Sequence, residues 1–264
     1  MKKIILIGII VLVLSLFLSA DVYIKNVERT KAFEMMGRKQ GEKVEIKEMW
    51  LAERKFAQTG KDFNLIFDYD KGKLYFIIHK QKAYYELPAE VDREKLLELI
   101  QGFSPRTVEI IKSIKITDAK VNFSGETKKI ANWDCSLTEF EMVLMIPALN
   151  MMPKYKMKRW TTKDLPFDYK RYTKAMSKFF VRYILGMLDI DENSKKELEK
   201  FDATEGFQIA AEITINIFGS EINVESQSLE ITEKPAPPGT YSAPKDYKKK
   251  TIDLPSFPEG KELH

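Results

Sequence analysis

Cysteine and histidine are nearly missing from this sequence of 264 residues, which holds one cysteine, Cys135, and two histidines, His79 and His264. A lone cysteine closes no disulfide within the chain, so no cystine framework holds the fold. Lying in the strand-like stretch 133–145, Cys135 reads as a small buried apolar residue rather than a reactive thiol. Three such residues build no metal cluster, and a His-dependent nucleophile triad would rest on His79 alone. No strand-to-helix nucleophile elbow, phosphate-cradling glycine loop or zinc-protease helix motif occurs either. These absences point away from an enzyme and from any metal or cofactor, although 39 acidic residues leave paired carboxylates open. A surplus of one charge is also lacking, because 43 Lys and Arg face 39 Asp and Glu for a net +4. That balance argues against a nucleic-acid partner.

Long apolar runs are absent except at the start. Lys2 and Lys3 precede the run 4–18, broken only by Gly8 and Ser15, and Ser19-Ala20 end it with small residues before Asp21. This is the pattern of a secretory signal peptide cleaved after Ala20. The run is shorter than the roughly 20 apolar residues a membrane span needs, and Asp21, Lys25, Glu28 and Arg29 follow it; an uncleaved anchor is the alternative. No cysteine stands at the junction to take a lipid, so the expected product is a soluble periplasmic protein or, alternatively, a secreted one. Cleavage removes two lysines, leaving 41 basic and 39 acidic residues and a net charge of +2. Residues 21–252 are expected to form a single domain, and the Pro- and Gly-containing end, 253–264, a disordered tail.

What is present reads mainly as β-structure. Phe207, Ile209, Ala211, Ile213, Ile215 and Ile217 occupy every second position, marking a half-buried strand. The sequence Phe218-Gly219-Ser220-Glu221 suits a type II′ hairpin turn into a return strand over 222–231, where the apolar phase changes and a bulge is expected. Phe63, Leu65, Phe67 and Tyr69 begin a three-stranded meander through 74–78 and 83–87. Strands are also expected over 22–27, 31–36 and 43–51, where Glu48 interrupts the apolar phase of Val44, Ile46 and Trp50. Further strands are expected at 110–116, 119–124, 130–131 into 135–146, and 154–162, with turns at Ser124-Gly125 and Asn132–Asp134. The count of about ten to twelve strands, without a helix after each, predicts an α+β chain that is mainly β: one strongly curved antiparallel sheet or open half-barrel.

Three helices are expected, at 92–101, 168–188 and 192–201. In 168–188 the residues Tyr169, Tyr172, Met176, Phe179, Phe180, Tyr183, Ile184, Met187 and Leu188 follow the spacing of one helix face. The opposite side carries Lys170, Arg171, Lys174, Lys178 and Arg182 with no acidic residue. Such a helix can cover the sheet and still present Arg171, Lys174, Lys178 and Arg182 to an anionic membrane surface or lipid headgroups. After Thr232 the chain turns Pro-rich and is expected to be extended. Methionine is spread over strands and the long helix, which suits either ordinary core filling or an adaptable lining for an acyl chain. The loop 147–153, Pro-Ala-Leu-Asn-Met-Met-Pro, is apolar where a hairpin tip should be polar, and reads as a flap or a partner contact.

The order of several motifs resembles a family of exported bacterial proteins catalogued only as a domain of unknown function. They are Glu48-Met49-Trp50 with Arg54-Lys55, the stretches 70–75 and 79–88, Asn132-Trp133-Asp134-Cys135 leading to 139–142, Lys158-Arg159-Trp160-Thr161-Thr162, and 241–248. By fold that family is similar to the periplasmic lipoprotein carriers LolA and LolB, whose half-barrel is closed by helices over an apolar cavity. The resemblance implies a hydrophobic ligand site between the concave sheet and the helix 168–188. Its expected lining is Trp50, Phe67, Phe76, Met145, Trp160, Tyr172, Met176, Phe179, Phe180 and Tyr183. The implied ligand is an acyl chain, a lipid or the lipid of a lipoprotein, and the partners an envelope protein or a membrane surface. The competing reading is an envelope interaction module with a packed core and no cavity.

Overall fold

The computed structural model describes residues 21–88, 105–170 and 188–250. The expected signal peptide 1–20, helix 92–101, nearly all of helix 168–188 and the tail 253–264 lie outside the described residues.

Thirteen strands form one large curved sheet that is not closed into a barrel. In sheet order they are β12 (Asp189–Ile190), β9 (Lys115–Ile130), β10 (Trp133–Met145), β11 (Lys154–Thr162), β13 (Phe207–Ile217), β14 (Ser220–Lys234) and β1 (Asp21–Thr30), then β4 (Lys43–Leu51), β5 (Lys55–Thr59), β6 (Phe63–Asp68), β7 (Lys73–Ile78), β8 (Ala83–Pro88) and β15 (Lys248–Lys250). Two further strands, β2 (Phe33–Met35) and β3 (Arg38–Gln40), make a separate hairpin. Neighbours pair antiparallel except β12 with β9 and β15 with β8, the two short edge pairs. The described helices are α1 (Pro105–Ser113) and α2 (Glu192–Asp202).

The α+β, antiparallel reading therefore holds, and the strand count is higher than expected. The additional strands are short: β3 and β15 have three residues each, β5 five and β12 two, too few to show a period. The stretch 110–116 is not a strand of its own. Helix α1 runs to Ser113, whose hydroxyl donates to the Ile110 carbonyl, and β9 begins two residues later. Neighbouring isoleucines favour extended backbone locally, and the tertiary context overrides them. Ser124-Gly125 is not a turn either; β9 continues through it with a register shift opposite Ser136 and Thr138.

Other local readings resolve as specific chemistry. At the β13–β14 hairpin both Phe218 and Gly219 have positive φ, 53° and 72°, so the turn is type I′ rather than II′. The bulge expected in the return strand is Leu229, which is skipped as Lys25 pairs with Glu230 and Asn26 with Ser228. Glu48 breaks its strand's apolar phase because its carboxylate accepts the Tyr23 hydroxyl at 3.0 Å. Helix α2 begins where expected: the Asp191 side chain accepts from the Asn193 and Ser194 amides and so caps the exposed donors of the first turn. Cys135 is buried in β10.

Candidate functional site

Alternation along the strands splits the core into clusters on opposite faces of the sheet. Leu51, Phe67 and Leu74 belong to one cluster, while their chain neighbours Trp50, Ile66 and Tyr75 belong to another. The first cluster extends from Val22 and Ile24 through Ile209 and Phe207 to Leu137 and Trp160. The chain after β11 lays Leu165, Phe167 and Tyr169 onto it. The second cluster is covered by the Pro-rich segment 235–247, which packs Ala236, Tyr241, Ala243 and Tyr247 against it before β15 adds to the sheet edge. That strap is pinned by Tyr241 donating to Asp21 at 3.0 Å and by Tyr247, whose hydroxyl lies 2.9 Å from His79 Nδ1. Burial, as the largest influence, pushes the Asp21 carboxyl up.

The residues expected to line one apolar site are thereby distributed. Phe67 and Trp160 share the first cluster. Phe76 lies on the same sheet face as Phe67, because Leu65 pairs with Phe76 and Phe67 with Leu74, and it remains 36% exposed. Its ring centre is 5.5 Å from that of Phe63, itself 39% exposed. Trp50 sits on the opposite face, 4.8 Å from Tyr23 and in the cluster under the strap. Met145 is half-buried at the end of β10, beside the bridge between Ile146 and Met151. Tyr172, Met176, Phe179, Phe180 and Tyr183, with the cations Arg171, Lys174, Lys178 and Arg182, lie outside the described residues.

Two polar groups within these clusters carry no sequence signature. The Trp160 indole N–H is buried without an acceptor among the described residues, and the Lys128 ammonium stands 3.8 Å over the indole ring. Arg159, next in the chain, points to the third cluster, formed beneath α2 by Ile116, Ala119, Phe140 and Leu198. Its guanidinium donates to the Phe201 carbonyl at 2.9 Å and lies 3.8 Å over the Phe201 ring, while its Nε has no partner among the described residues. Burial, against the opposing pull of Asp202, brings this side chain down to about 10. The carbonyl it meets belongs to the C-terminal turn of α2, where the helix dipole favours a cation. Nearby, burial pushes the Tyr155 phenol up to about 12.

His79 is the one histidine among the described residues. Its Nε2 lies 2.9 Å from the Asn64 side-chain oxygen on β6 and its Nδ1 faces Tyr247, so it ties β6 to the strap, and among the described residues it has no carboxylate partner. Among the described residues no group of His, Cys, Asp or Glu could hold a metal ion.

At one end of the sheet an open groove of ≈ 580 Å³ runs between the 147–153 loop and the β13–β14 turn, with Met152 and Phe218 as walls and Lys154 as its one charged lining residue. The sequence marked the loop as a flap or partner contact and the turn opposite only as a hairpin connection. The signal available was the pair of hairpins Met36-Gly37 and Phe218-Gly219, each with a bulky residue where a type I′ turn favours Asn.

No family model and no curated protein matches the chain. Two solved structures show likeness. An outer membrane lipoprotein-sorting protein domain from Vibrio parahaemolyticus is 6% identical, with a TM-score of 0.29, over 83% of this chain and 87% of that one. A DUF1329 family protein from Desulfovibrio piger is 7% identical, with a TM-score of 0.18, over 86% of this chain and 91% of that one.

Proposed function

We propose that this is an exported, non-enzymatic binding protein of the bacterial envelope that accommodates an apolar ligand, an acyl chain or lipid, on the sheet face that carries Phe67, Phe76 and Trp160. The observation that supports it is the continuation of that face past its own packing. The phase that buries Phe67 and Leu74 runs on to Phe63 and Phe76, a contacting aromatic pair left more than one-third exposed. Exposed aromatic area continuous with a core is a surface that an apolar ligand stabilises by removing it from water. Among the described residues the buried Trp160 N–H has no acceptor, and a ligand's ester or amide carbonyl that displaced its neighbours would accept from it. In this reading the helix 168–188 supplies the remaining lining, Tyr172, Met176, Phe179, Phe180 and Tyr183, and its cations Arg171, Lys174, Lys178 and Arg182 meet headgroups. Residues 1–20 direct export to the periplasm and are removed. No described helix is long and apolar enough to cross a membrane.

The test is organic extraction of the processed protein, purified from an exporting host without detergent, followed by mass spectrometry. Co-purified lipid, displaced by a fluorescent fatty acid, is the expected result. A lipid-free protein that also leaves the probe unbound would overturn the reading in favour of an interaction module with a packed core.

A further inference from the structure

Two hairpin tips at one end of the sheet share the same unfavourable choice of residue. Met36-Gly37 closes β2–β3 and Phe218-Gly219 closes β13–β14, with Met36 at φ 51° and Phe218 at φ 53°. Left-handed backbone is cheap for Asn and Gly and strained for bulky side chains. Burial does not offset that strain, because Met36 is 62% and Phe218 52% exposed. Met152, in the neighbouring 147–153 loop, is 63% exposed and faces Phe218 across the groove. The register places all three tips together: Lys154 pairs with Asn216, Ile217 with Ser220 and Thr30 with Val224, and β2 lies against β14.

Charge accompanies these tips. Lys154 is the groove's one charged residue, and Arg38 follows Met36-Gly37 directly; neither has an ion-pair partner among the described residues. The acidic residues closest in sequence to the tips are Glu34 and Glu221, both exposed, and Glu34 stands opposite Lys39 in the hairpin.

We propose that this end of the sheet is a membrane-docking rim: Met36, Met152 and Phe218 enter the interfacial region of an anionic bilayer while Lys154 and Arg38 meet its headgroups. A bilayer accepts apolar side chains from separate tips without matching their shape, whereas a stable protein interface needs roughly 1,000 Å² of complementary surface. Burial in the interface supplies what the strained, exposed tips lack in the folded chain. Cations near the surface add attraction to anionic lipid. The proposal stands apart from ligand binding on the sheet face, and either can hold without the other.

The experiment is co-flotation of the processed protein with phosphatidylcholine vesicles made with and without phosphatidylglycerol, alongside thermal melting. The wild-type protein floats, more with the anionic vesicles. The double variant Met36→Asn with Phe218→Asn gains two Asn-Gly turns, so it melts no lower than wild type, yet partitions at least about tenfold more weakly. Lys154→Glu removes part of the preference for phosphatidylglycerol. Equal partitioning of wild type and double variant would overturn the proposal. So would an anionic preference untouched by Lys154→Glu, or failure of wild type to float with either vesicle, including the case in which an envelope protein binds the rim instead.

Discussion

Gly206 and Gly125 both hold positive φ, 117° and 72°, and for different reasons. A Cβ on Gly206 would stand 2.8 Å from the Thr161 Cβ and 3.2 Å from the Thr162 carbonyl oxygen, whereas one on Gly125 meets nothing within 4 Å. Gly206→Ala therefore combines strain with a clash and should cost about 3 kcal/mol. Gly125→Ala should cost only the left-handed penalty, about 1–2 kcal/mol. Denaturant unfolding separates the two, and equal costs would contradict the close packing of Gly206 on β11. The aromatic residues of the shared face divide similarly. Phe67 is 2% exposed and Phe76 is 36% exposed. Phe67→Ala should cost about 3–5 kcal/mol, and Phe76→Ala less than about 1 kcal/mol. A large loss at Phe76 would mean that its ring serves the fold rather than a ligand.

At the scale of elements, β15 depends on a charge cluster. Glu86 on β8 accepts from Lys73 at 2.8 Å and faces Lys249 at 3.2 Å, tying the end of the strap to the sheet. The Lys73 ammonium first, and Lys249 after it, hold the Glu86 carboxyl below its usual 4.5. A lowered folded value means that this stabilisation is complete above about pH 4.5 and lost as pH falls through the lowered value. Amide exchange at Lys248, whose N–H donates to the Lys82 carbonyl at 2.9 Å, should accelerate across that acidic window once intrinsic exchange is corrected for. Glu86→Gln should show faster exchange at neutral pH and no acid step, and an acid step retained in that variant would assign it to another group. The strap also shows what a single sequence hides. Its prolines announced extended backbone, but nothing local said that Tyr241 and Tyr247 would reach Asp21 and His79 across the fold. The alternation of β13 and the start of α2 at residue 192 were legible because each depends on neighbours in sequence. Helix α1 and the turn type at Phe218-Gly219 were not, since long-range packing chose against local preference.

At the scale of the molecule, a sheet with two apolar faces was legible as a curved sheet but not as a division of its aromatic residues. Trp50 and Phe67 both read as apolar lining, and alternation alone cannot say which face of two neighbouring strands a helix or strap covers. The register supplies that: Trp50 lies under the strap and Phe67 on the face that continues to Phe63 and Phe76. The central claim is that this second face is the one kept for an apolar ligand. Photo-crosslinking with a diazirine fatty acid, followed by peptide mapping of the processed protein, tests it most directly. The account predicts adducts on β6 and β7 around Phe63 and Phe76, competed by unlabelled fatty acid, with the strap-covered strand around Trp50 unlabelled. Competed adducts confined to the strap side, or none on β6 and β7, would contradict it.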